Sequence, residues 1–124
     1  MNPKTARLTT LFGTASFLTL ATSLDAQAQQ VAQAQTAQAF PGVDALPADA
    51  QGALFSLVYN RGTSMTGDSR SEMRAIRDAV PAGDLQKIAD QLRAMKRLWV
   101  GKGLDGLLKR RDAEADLAES SIPA

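Results

Sequence analysis

Asp84-Leu85-Gln86-Lys87-Ile88-Ala89-Asp90-Gln91-Leu92-Arg93-Ala94-Met95-Lys96-Arg97-Leu98-Trp99 is the stretch whose period decides the fold. Leu85, Ile88, Ala89, Leu92, Met95 and Trp99 recur at helical spacing and form one apolar stripe. Asp84 stands where a carboxylate accepts from the free amides of a first turn. Gly101 and Gly103 stop the helix, and Pro81-Ala82-Gly83 breaks the one before it.

Working outward, Ser69 and Glu72 have capping-box spacing and open a helix that carries Met73 and Ile76. Pro47 suits the first turn of an earlier helix, which has Leu54, Leu57 and Val58 on one face and Gly62 as a left-handed stop. Beyond Gly103, a last helix over 105–118 carries Leu107, Leu108 and Leu117, with its charges on the other side. No run alternates apolar with polar residues and no segment repeats. The expected fold is therefore all-α, a bundle of about four short helices. A domain this small buries only roughly 60% of its unfolded surface. Marginal stability is expected, with an apolar strip around Leu54, Leu57 and Leu92 partly uncovered, which would favour self-association.

Composition excludes several chemistries. The 124 residues include no cysteine and no histidine. Disulfides, thiolate metal sites, Ser-His-Asp and Cys-His mechanisms are thereby ruled out, and no metal or other cofactor is implied. Hydrolysis by this chain would have to run on carboxylates.

The N-terminal third is organised differently. Residues 1–7 carry Lys4 and Arg7 without an acid, residues 8–24 have no charge, and Ala26-Gln27-Ala28 is a small-x-small site. The pattern reads as a signal peptide over 1–28, with Ala37-Gln38-Ala39 as a second triplet. Its apolar run is short and hydroxyl-rich for a spanning helix, so no stable membrane insertion is expected after cleavage. Residues 29–42, nearly all Ala and Gln up to Phe40-Pro41-Gly42, read as a disordered, solvated linker. The folded domain is expected over 43–119, with a flexible tail at 120–124. Cutting after Ala28 removes Lys4, Arg7 and Asp25 from 14 basic and 13 acidic residues, leaving a net charge of zero. Overall charge thus favours no partner, although residues 93–111 hold seven cations against Asp105 alone.

Two segments carry a family resemblance: Ser56-Leu57-Val58-Tyr59-Asn60-Arg61-Gly62 and Gly103-Leu104-Asp105-Gly106-Leu107-Leu108-Lys109-Arg110-Arg111-Asp112-Ala113-Glu114. Both resemble segments of the phage-type lysozymes and the pesticin-like muramidases, where they belong to the larger helical lobe. The resemblance covers roughly residues 46–117. It implies a muramidase fold and peptidoglycan glycan strands as the partner, in the periplasm or outside the cell. The family's catalytic glutamate ends a helix that precedes both segments, and no residue here matches it. Asp25 is the only acid in residues 1–39. No catalytic residue is therefore assigned.

Among the other carboxylates, Asp44, Asp49 and Glu72 read as helix-start residues. Glu114 reads as the ion-pair partner of Arg110 and Arg111, which should lower its pKa. The resemblance implies that Tyr59 stacks on a sugar face and Asn60 hydrogen-bonds an acetamido group, with Ser71 and Gln91 at further cleft positions. Against this, Tyr59 reads equally well as a core aromatic and Asn60 as a C-cap. Trp99 reads as core. The run Lys109-Arg110-Arg111 is expected to tie the terminal helix to the lobe, and nucleic acid is not expected as a partner. The reading is an exported muramidase-family protein without a catalytic lobe of its own. The alternatives are a non-catalytic periplasmic module that binds glycan or protein, and a truncated reading frame.

Overall fold

A computed structural model describes residues 14–123 of the protein. The opening of the expected signal peptide, residues 1–13, and the last residue of the expected tail lie outside the described residues. The described residues form five α-helices and no strand: α1 (Thr14–Ala39), α2 (Ala48–Arg61), α3 (Ser71–Ala82), α4 (Leu85–Ala94) and α5 (Asp105–Ser120). Short 3-10 turns at Val43–Ala45, Asp68–Arg70 and Met95–Leu98 join them. Among the described residues no helix is long and apolar enough to cross a membrane. The chain divides into two units between Val31 and Ala32, and α2 to α5 belong to the second.

The helices begin and end for the reasons legible in the sequence. Asp84 caps α4, its Oδ1 accepting from the Lys87 amide at 3.0 Å. Gly83 closes α3 in the left-handed conformation, φ 65° and ψ 26°, which a residue with a Cβ resists. Pro81 costs α3 little because it falls in the last turn, before Gly83.

α5 packs chiefly on α4 and α2, and α3 packs on α4. Between them lies one apolar cluster that includes Phe40, Leu54, Leu57, Met73, Ile76, Ile88, Leu92 and Met95, with Trp99 partly buried against it. Leu54, Leu57 and Leu92 are fully buried, so the expected uncovered strip does not exist. The segment just before α2 supplies what the expectation lacked: Ala39, Phe40, Val43 and Leu46 join the cluster. Without that strip, no apolar surface is left there to favour self-association.

The Ala/Gln tract is also corrected. It is helical to Ala39 rather than a disordered linker, and Ala32, Thr36 and Ala39 are buried. Ala and Gln favour helix, and small residues spaced by about one turn give a narrow stripe that packs closely without large side chains. Thr36 Oγ1 satisfies itself on the Ala32 carbonyl at 2.7 Å.

Two local expectations differ from the structure. No capping box forms at Ser69, because residues Asp68–Arg70 make a 3-10 turn and α3 starts at Ser71. The Glu72 carboxylate binds Arg97 instead. On α5 the buried residues are Arg111, Glu114, Ala115 and Ala118, whereas Leu117 is exposed. The helix thus turns a paired charge and alanines inward, where leucines were expected.

Candidate functional site

Tyr59 and Asn60 stand exposed at the C-terminal end of α2. Phe55, Ser56, Tyr59 and Asn60 lie within two turns there, at spacings that bring i and i+4 residues to the same face. Tyr59 is 69% exposed, which removes the core reading. Its ring stacks on Phe55 with centroids 6.4 Å apart and planes 23° from parallel. An aromatic pair held this way presents a flat face to solvent. Asn60 is exposed beside it. It does not cap α2, because the helix continues to Arg61 and ends at Gly62.

Beneath this face α5 delivers a buried ion pair. Arg111 is the largest fully buried side chain among the described residues, and Glu114 is buried with it. Arg111 Nη2 donates to Glu114 Oε2 at 2.8 Å. Arg111 Nε faces Glu114 Oε1 at 2.7 Å, off the line of a hydrogen bond, so that contact is one of charge. Ser56 Oγ donates to Glu114 Oε2 and accepts from Arg110 Nε at 3.2 Å. Arg111 Nη1 donates outward to Asn60 Oδ1 at 3.0 Å. Arg110 and Arg111 therefore tie the terminal helix to α2. The Arg111 and Arg61 guanidiniums stand over the Trp99 ring, 5.7 and 5.2 Å from its centroid.

The expected ion pair of Glu114 is present, but its pKa consequence is reversed. Burial pushes the Glu114 carboxyl above its ordinary value, against the pull of Ser56, Arg111 and Arg110. Burial likewise pulls Arg111 down, and Arg61, half-buried beside Arg70 and Arg111, is drawn down to about 10.

Ser71 and Gln91 stand on other helices, α3 and α4. Ser71 Oγ donates to Glu72 Oε1 at 3.2 Å and accepts from Arg97 Nη2 at 3.1 Å, which makes it part of the Arg97–Glu72 ion pair. Gln91 lies half-buried on α4, where its carbonyl takes the Met95 amide. Burial works to raise the Glu72 pKa, but the Arg97 hydrogen bonds and charge prevail and hold it below the ordinary value. Sequence reasoning missed Phe55 and Ser56 as partners in the site. Their i+4 relation to Tyr59 and Asn60 was the available signal.

The uneven charge of residues 93–111 is largely answered in space. Arg93 binds Asp116 and Glu119, Lys96 binds Asp112, and Arg97 binds Glu72. Lys102 and Lys109 make no ion pair among the described residues, which leaves no continuous basic face. Nor do those residues gather acids in a group able to hold a metal ion.

An all-helical lobe that carries an aromatic and an amide on one helix end, backed by the Arg-Arg...Glu helix, matches a known family. Residues 13–114 match the family described as phage lysozyme, and this chain belongs to it. The match begins well before the two motif segments, so it includes the helical Ala/Gln tract. No curated protein and no solved structure gives a significant match.

Proposed function

We propose that this chain acts on bacterial cell-wall peptidoglycan as a glycan-holding lobe, with Tyr59 and Phe55 as the stacking platform and Asn60 as the polar contact. The observation that carries this is Tyr59, 69% exposed yet braced on Phe55, beside an exposed amide. An apolar ring costs free energy in water unless a ligand covers it, and sugar faces stack on such rings. Membership of the phage lysozyme family supplies the substrate class.

The same lobe holds the glycan without cutting it. Glycosidic cleavage needs a carboxylic acid with a raised pKa that reaches the leaving oxygen. Glu72 and Glu119 are held low, Glu119 at about 2 through Arg93 and Gln86. Glu114 is raised but enclosed at 2% exposure by Ser56, Arg110 and Arg111. The basic start, uncharged run and small-x-small site of residues 1–28 support export to the periplasm or beyond.

The test is co-sedimentation with insoluble peptidoglycan. Wild type should pellet with it and Tyr59→Ala should lose at least about tenfold in affinity, the effect of removing one aromatic platform. No sedimentation of wild type would sink the reading. A cleared band in a peptidoglycan gel would overturn its non-catalytic half.

A further inference from the structure

We infer that Arg111 is a positioning residue: it holds the Asn60 oxygen and leaves the amide nitrogen as the free end, so the end of α2 selects a carbonyl acceptor and rejects an amine. In the setting of the proposed function, on which this rests, the acceptor is the N-acetyl oxygen of the glycan and the rejected form is the de-N-acetylated sugar.

An asparagine amide can usually turn over, exchanging its oxygen and nitrogen to suit whatever ligand arrives. Here it cannot. The atom facing Arg111 Nη1 is 3.0 Å away, and a guanidinium has five donors and no acceptor. Only the oxygen can occupy that position. Turning the amide over would set N–H against N–H and leave a buried guanidinium nitrogen without its acceptor.

Arg111 itself is fixed. It is fully buried, anchored by Glu114 on one side and packed over Trp99 on another. Glu114 is in turn held by Ser56, which takes an Arg110 hydrogen bond. The chain Ser56, Glu114, Arg111, Asn60 thus carries an orientation from the interior to the surface. The Asn60 nitrogen has no hydrogen-bond partner among the described residues and sits on an exposed side chain beside Tyr59. The group left free on this exposed side chain is therefore an N–H donor, with the Arg111 cation behind it. A carbonyl oxygen accepts from that donor and suits the cation; an ammonium offers only donors and carries the wrong charge.

Asn60→Asp is the discriminating variant. A carboxylate there still accepts from Arg111, so the fold is retained, but its outer oxygen is now an acceptor with negative charge. The experiment follows the Asn60 side-chain amide of the full chain by NMR, during titration with a soluble N-acetylglucosamine oligomer and, separately, a glucosamine oligomer. The Asn60 amide protons should shift with the first and not the second, with about a tenfold affinity difference, the effect of one hydrogen bond made or left unmade. In Asn60→Asp, followed through the backbone amide of Tyr59, the preference should move to the glucosamine oligomer. Equal response to both oligomers, no response of Asn60 to either, or an unchanged preference in Asn60→Asp would each overturn the inference. Failure to pellet with insoluble peptidoglycan while Asn60 still prefers the N-acetylated oligomer would overturn the proposed function alone.

Discussion

A guanidinium with no solvent contact persists at position 111 because every direction it faces is answered: Glu114 by charge and hydrogen bond, Asn60 by its carbonyl, Trp99 by its ring. Removing one partner of such a pair strands the other. Glu114→Ala should therefore cost about 3 kcal/mol or more in a urea unfolding measurement. Lys96→Ala breaks the pair with Asp112 at the partly exposed surface and should cost less than about 1 kcal/mol. A Glu114→Ala effect as small as that of Lys96→Ala would show that the buried pair does not hold α5 on α2. Tyr59→Ala, which impairs binding in the proposed function, should change stability by no more than about 0.5 kcal/mol, since the ring covers little of the core. The pairing of Glu114 with Arg110 and Arg111 was legible from their spacing. Its burial was not, because a charged residue at helical spacing reads as a solvated face unless the facing helix is known to bring Ser56 and Asn60.

At the scale of elements, legibility followed the kind of signal each helix carries. α4 was readable because large apolar residues mark its buried stripe and Asp84 and Gly83 mark its junction with α3. α5 was misread because its buried stripe is made of Arg111, Glu114, Ala115 and Ala118, which have no apolar contrast with their neighbours. The Ala/Gln tract shows the same blindness: its buried residues are Ala32, Thr36 and Ala39, too small to mark a face. The end of α2 was half-legible, since resemblance pointed to Tyr59 and Asn60 but sequence could not choose between core, cap and surface. The cap of α4 supports a direct test. Asp84→Ala removes the acceptor for the Lys87 amide and should cost about 1 kcal/mol. Asp84→Ser should restore most of that loss, because a hydroxyl oxygen serves the same amide. Equal destabilisation by both changes would assign the cost to something other than capping.

Across the whole molecule, carboxylates hold the helices together through arginines, and this sets how stability depends on pH. Glu119 joins α5 to α4 through Arg93 and Gln86 and is depressed to about 2, from an ordinary value of 4.5. Glu72 joins α3 to the turn after α4 through Arg97 and is also depressed. A carboxyl whose folded pKa lies below its unfolded one stabilises the fold fully above the unfolded value, and that contribution is lost as pH falls through the folded value. Glu114, raised by burial, has the opposite sign: its protonation on acidification favours the fold over the unfolded chain. Glu114 acts above about pH 4.5 and the two depressed carboxyls act below it, so the urea midpoint should hold or rise as the pH falls from about 7 to 4.5, then fall as the pH drops toward 2. Glu119→Gln should flatten the lower part of that decline, because the amide still accepts from Arg93 but no longer titrates. A midpoint that does not fall below about pH 4.5 would mean that the Arg93 and Arg97 bridges do not govern the acid response.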